Sequence, residues 1–182
     1  MPIEVLLVED SPGDVRLTRE AFGEANKSIH LHVAVDGVEA MAFLRREGVH
    51  AHAPRPGIIL LDLNLPKMDG RQVLVHIKED PSLKTIPIVI LTTSEAEVDI
   101  ERSYQLQANC YLSKPVQLEH FEALVKSIND FWLTKVKLPQ QGKAASAGIR
   151  QRWFSLWKLT AAIPGQEERG NHEVHRGERH SH

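Results

Sequence analysis

One cysteine, Cys110, is all the chain contains, so no internal disulfide can brace it. Within the apolar segment Cys110-Tyr111-Leu112 that thiol reads as buried and inert rather than reactive. No apolar run approaches the ~20 residues that a membrane span needs. The N-terminus, Met1-Pro2-Ile3-Glu4, has no basic region ahead of an apolar stretch, so no secretory signal is read. Internal repeats are lacking too, which excludes solenoids and propellers. These absences point to a cytoplasmic, soluble protein of 182 residues with one proper core and something left over.

What is left over lies at the C-terminus. Residues 1–139 carry 15 basic and 20 acidic side chains, whereas 140–182 carry 7 and 4. The sign changes at Pro139-Gln140-Gln141-Gly142-Lys143-Ala144-Ala145-Ser146-Ala147-Gly148, a small-residue stretch with the composition of a linker. The expected organisation is a domain over 1–139, then a linker, a short amphipathic segment over 149–163 and a disordered, histidine-bearing end. The segment carries Ile149, Trp153, Leu156, Trp157 and Ile163 near one helical face, with three basic residues and no acids. That pattern fits an interfacial membrane helix, a partner-binding helix or a loose appendage.

Five apolar runs punctuate the domain: Ile3–Val8, Leu31–Val35, Ile58–Leu61, Ile88–Leu91 and Cys110–Leu112. Segments of helical spacing separate them. Ser11-Pro12 opens the first with a capping hydroxyl and a proline at the first helical position. Asp36 with Glu39 has the capping-box pattern, and Ser94 with Glu97 is read as the cap of a fourth helix. Val73, Leu74 and Ile77 mark a third helix; Leu118, Phe121, Leu124, Val125 and Ile128 mark a fifth, which Phe131 and Trp132 end. Alternation repeated five times predicts a parallel sheet with helices on both faces.

Polar residues then fall at strand ends. Asp62 closes the run Ile58-Ile59-Leu60-Leu61, Glu9 and Asp10 follow the first strand, Thr92 the fourth and Lys114 the fifth. In a parallel sheet these ends converge on one edge, where open α/β sheets bind ligands. Three carboxylates there repel one another and need a cation, and Mg²⁺ suits oxygen ligands and phosphate partners. A lysine and a hydroxyl in the same ring would meet the other oxygens of a phosphoryl group. The constellation reads as an aspartate nucleophile forming an acyl phosphate. His50 and His52, by contrast, have no partner ligands and read as a solvated loop.

Val8-Glu9-Asp10, Leu61-Asp62-Leu63-Asn64-Leu65-Pro66 with Met68-Asp69-Gly70, Leu91-Thr92-Thr93-Ser94 and Tyr111-Leu112-Ser113-Lys114-Pro115 together resemble a CheY-like response-regulator receiver domain over residues 3–133. The resemblance implies a flavodoxin-like sheet of order 2-1-3-4-5. It implies that Asp62 is the phosphoacceptor and that Glu9, Asp10, Asp62 and the Asn64 backbone carbonyl hold Mg²⁺. Lys114 would pair with the phosphoryl oxygens across a cis Lys114–Pro115 bond. Thr92 would bond the arriving phosphoryl group, with Tyr111 the aromatic switch that turns inward as Thr92 moves. Thr93, where a smaller residue is frequent, and the long connection Gly48–Pro56 depart from the common pattern and bear on acyl-phosphate lifetime.

A narrower resemblance lies in Glu9-Asp10-Ser11-Pro12-Gly13-Asp14-Val15-Arg16-Leu17, in the Pro-rich approach to the third strand and in Phe131–Pro139. These are similar to the small regulators that serve phytochrome histidine kinases. That similarity implies a single-domain regulator that dimerises through the face built by the fourth helix, fifth strand and fifth helix. Phe131 or Trp132 would then be an exposed anchor or part of the core. No direct DNA binding is expected, because the tail is too short for the usual output module. A phosphate shuttle within a relay is the alternative role. An aspartate-nucleophile phosphohydrolase of the haloacid dehalogenase type would need an acid two residues after Asp62, where Asn64 stands.

Overall fold

The computed structural model describes residues 2–25 and 28–139, and the linker, the 149–163 segment and the tail expected from the sequence lie outside them. Strands β1 (Ile3–Val8), β2 (Ile29–Ala34), β3 (Ile58–Leu61), β4 (Ile88–Thr92) and β5 (Cys110–Ser113) alternate with helices α1 (Pro12–Ala25), α2 (Gly37–Arg45), α3 (Gly70–Glu79), α4 (Glu97–Gln105) and α5 (Leu118–Ile128). All neighbouring strands are parallel, in the order β2-β1-β3-β4-β5. The expected flavodoxin-like topology is the observed one.

Period-two alternation explains why the sheet is covered on both sides. Along β1, Val5 and Leu7 join Phe22 of α1 and Phe121, Val125 and Ile128 of α5 on one face. Leu6 and Val8 join Met41, Phe43 and Leu44 of α2 and Val73, Leu74 and Ile77 of α3 on the other. Ile58, Ile59, Leu60 and Leu61 are all fully buried, as expected of a central strand walled by helices. The winding reverses between β1 and β3, so the crevice at their carboxyl ends is the topological switch point.

Several local expectations need correction. β2 begins at Ile29, two residues before the apolar run, because His30 and His32 face Glu4 of β1 and bond its carboxylate at 3.1 and 2.6 Å. Asp36 does cap α2, accepting from the Glu39 N–H at 2.8 Å, but Glu39 reaches back to the Val35 N–H instead of closing the box. Ser94 does not cap α4: the helix starts beyond it with Ala96 at the cap, and the Ser94 hydroxyl donates to Asp99 and accepts only from the Ala96 N–H, at 3.5 Å. The full capping box belongs to α3, between Asp69 and Gln72.

The Lys114–Pro115 bond is trans rather than cis, within the small intrinsic difference of X-Pro bonds. α5 ends at Ile128, and Phe131 and Trp132 follow in a π-helical turn over Asn129–Leu133. There Trp132 packs on the core while Phe131, edge-on to it at 5.7 Å, is 56% exposed. His50 stacks edge-on against Phe43 rather than standing free. No described helix is long and apolar enough to cross a membrane.

Candidate functional site

Register places the site. The Asp62 N–H donates to the Val8 carbonyl at 3.0 Å, the Glu9 N–H to the Ala34 carbonyl at 2.9 Å and the Lys114 N–H to the Thr92 carbonyl at 2.7 Å. The ladders of β1, β3 and β5 therefore run one residue past their ends, to Glu9, Asp62 and Lys114, and Thr92 is itself the last residue of β4. Glu9, Asp62, Thr92 and Lys114 are all buried, although the strands leading to them are apolar. Buried polar groups of this kind need partners.

They find them in one another. Lys114 Nζ donates to Asp62 Oδ2 at 2.6 Å, to Asp14 Oδ2 at 3.0 Å and to Glu9 Oε2. Asp62 Oδ1 accepts from the Thr92 hydroxyl at 2.8 Å and from the Asn64 N–H at 2.9 Å. Glu9 Oε1 accepts from the Ser11 N–H at 3.0 Å, tying the start of α1 to the same cluster. Asp10 is exposed and bonds none of these groups. Tyr111 is half-buried, and its hydroxyl donates to the Ser94 carbonyl at 2.9 Å.

Electrostatics follow from burial. Desolvation pushes the Glu9 carboxyl above the usual range, against the pull of Lys114. Burial works to lower Lys114, yet its bonds to Asp62 and Glu9 outweigh that and leave it above an ordinary lysine. It stays an ammonium. The ammonium has three N–H groups and spends all of them on Glu9, Asp14 and Asp62. One positive charge faces three carboxylates, with Asp10 next in the chain. The excess of hard oxygen donors fits a divalent cation of the Mg²⁺ type. Among the described residues no three such side chains already stand as a metal cluster, because Lys114 lies between Glu9 and Asp62.

The sequence reading missed two contributors. Asp14, in the first turn of α1, is the third acceptor of Lys114, and its place four residues after Asp10 was the available signal. Gly70 is pressed so closely against β3 that a Cβ there would lie 2.0 Å from the Asp62 carbonyl oxygen. Only glycine lets α3 start at that point.

Comparison with known proteins adds the lineage. The response regulator receiver domain family matches residues 5–126. This chain belongs to that family. The receiver is 49% identical over 138 residues, 76% of this chain and 94% of its relative, to the response regulator Rcp1 of Synechocystis sp.. The crystal structure of the Mn²⁺-bound form of Rcp1 superposes with a TM-score of 0.75, covering 76% of this chain and 100% of that one. The phosphorylated cyanobacterial phytochrome response regulator RcpA, 48% identical, gives the same TM-score of 0.75, with 77% and 100% covered. The receiver is thus similar to a regulator whose name ties it to phytochrome, as its short strings suggested.

Proposed function

We propose that this receiver acts as a single-domain response regulator that takes a phosphoryl group onto Asp62 from a sensor histidine kinase, a phytochrome. The observation that carries the reading is the buried hydrogen-bonded group of Asp62, Thr92, Lys114 and Glu9 at the switch point of the sheet. One carboxylate oxygen of Asp62 attacks phosphorus. The new P–O bond replaces the P–N bond to the kinase imidazole, whose nitrogen keeps the electron pair and takes up a proton.

In this reading Glu9, Asp10, Asp62 and the Asn64 carbonyl would hold Mg²⁺, which would supply positive charge against the phosphoryl group. The residues of the chain do the rest. Lys114 transfers its bond from the Asp62 carboxylate to a phosphoryl oxygen, keeping its charge at the point where negative charge arrives. The Thr92 hydroxyl, already on Asp62, donates to another. Tyr111 reports the change to the face of α4, β5 and α5. Its helices carry exposed Val98 and Tyr104 on α4 and Leu118 at the start of α5, and that face is the surface through which a second copy would bind. Residues 1–139 are taken as the complete receiver unit, and its place is the cytoplasm. The likeness to the phytochrome response regulator RcpA supports the phytochrome partner.

The test is labelling by a small acyl phosphate with Mg²⁺ present or chelated, in wild type and Asp62→Asn. Mg²⁺-dependent labelling of wild type alone is expected. Equal labelling of the Asn variant would mean the nucleophile is another residue.

A further inference from the structure

A second hydrogen-bonded relay runs outward from Thr92 and Tyr111 through Ser94, Asp99 and Arg71, which the proposed chemistry does not use. Arg71, in the first turn of α3, forks onto Asp99 of α4: Nε donates to Oδ1 at 2.8 Å and Nη2 to Oδ2 at 2.5 Å. Its third nitrogen, Nη1, donates to Asp69 Oδ2 at 2.8 Å. Asp99 Oδ2 also accepts from the Ser94 hydroxyl at 2.6 Å. The Ser94 carbonyl in turn accepts from the Tyr111 hydroxyl, and its N–H points at Thr92 Oγ1, 3.4 Å away. Ser94 therefore stands between the switch pair and the Arg71–Asp99 fork.

Two features support the fork as what sets this geometry. α4 has no side-chain bond from its N-cap residue, so Asp99, in its first turn, ties that end to α3, and it holds Ser94 together with a long bond from the Ala96 N–H to the Ser94 hydroxyl at 3.5 Å. The pair is also largely withdrawn from water, with side chains 22% and 15% exposed, where a bidentate charge-assisted bond outweighs a surface ion pair. The bonds from Arg71 and Ser94 hold the Asp99 carboxyl down at about 2.

We propose that Arg71 is a positioning residue for the switch: through Asp99 and Ser94 it fixes the carbonyl that Tyr111 bonds, favouring the observed state, with the Tyr111 hydroxyl on that carbonyl and Thr92 on Asp62. The proposal rests on Asp62 being the phosphoacceptor. A contact made in one state shifts a two-state equilibrium by its differential strength, which for couplings of this kind is on the order of 10-fold.

Fluorine NMR of the full chain labelled with 3-fluorotyrosine tests this directly. The chain has two tyrosines, so a Tyr104→Phe variant assigns the Tyr111 resonance, and free 3-fluorotyrosine in buffer serves as the solvent reference. Arg71→Gln and Asp99→Asn should each move the Tyr111 resonance toward solvent and slow acetyl-phosphate labelling of Asp62 by about 10-fold. The double variant should be no worse than either single one, and Arg71→Lys, a one-pronged donor, should fall between. Urea melts establish that each variant is folded. A folded Arg71→Gln protein with the wild-type Tyr111 resonance and labelling rate overturns the proposal, as do additive effects in the double variant. A wild type that takes no phosphoryl group overturns the Asp62 reading itself, and with it the switch that the fork is said to set.

Discussion

Gly70→Ala is the substitution whose consequence the geometry states most sharply. The added Cβ would lie 2.0 Å from the Asp62 carbonyl oxygen, 2.7 Å from Leu63 Cα and 2.9 Å from the Asp62 carbonyl carbon. All three are backbone atoms, so no flexible side chain can yield. Reaching ordinary contact at 3.4 Å requires an opening of ~1.4 Å between α3 and the end of β3. Overpacking of this kind costs about 1–3 kcal/mol and here belongs at the upper end. The displaced backbone is that of Asp62, the proposed phosphoacceptor, and a shift on the order of 1 Å slows a positioned reaction about 10²-fold. Urea unfolding and the rate of small acyl-phosphate labelling measure the two effects. Gly23→Ala is the control: nothing lies within 4 Å of its Cβ, and alanine inside α1 should gain about 0.5–1 kcal/mol. If Gly70→Ala unfolds within ~0.5 kcal/mol of wild type and labels at the same rate, close packing of α3 on Asp62 does not hold the site.

Other expectations follow from the charges. Lys114→Ala leaves Glu9 and Asp62 buried without their counter-charge, which should cost about 3–5 kcal/mol in cation-free buffer and much less in saturating Mg²⁺; an equal loss in both buffers would separate the cation from these carboxylates. Asp10→Ala should weaken Mg²⁺ binding at least ~10-fold by calorimetry, and an unchanged Kd would remove Asp10 from the ligand set. The Asp99 carboxyl sits at about 2 in the folded chain against an ordinary 3.8, so its bonds add stability that is complete above 3.8 and lost as pH falls toward 2. Asp99→Asn should flatten that acid limb in urea melts, and superimposable pH curves would contradict the bonds from Arg71 and Ser94.

The site was legible because strand ends are legible. Ile58–Leu61 and Ile88–Thr92 are short apolar runs with a polar residue at the close, and parallel register carries Asp62 and Thr92 to one edge whatever the loops do. Glu9 and Lys114 follow by the same logic. What escaped the sequence depends on side chains that meet across distant elements. Asp14 looked like an ordinary first-turn acid of α1, and only the reach of Lys114 makes it part of the cluster. Arg71 and Asp99 lie 28 positions apart on different helices, and no local pattern pairs them. Ser94 carried a valid capping signal, yet the cap falls two residues later, at Ala96, and the Ser94 hydroxyl turns to Asp99. β2 was misplaced because apolar patterning does not register His30 and His32, which hold the strand edge through Glu4.

Phosphotransfer from a purified phytochrome histidine kinase of the same organism, run under red and far-red light, tests the central claim most directly. The account predicts fast, Mg²⁺-dependent transfer to wild type whose extent follows the light, and none to Asp62→Asn. Transfer that ignores the light, or that reaches the Asn variant equally, would contradict it.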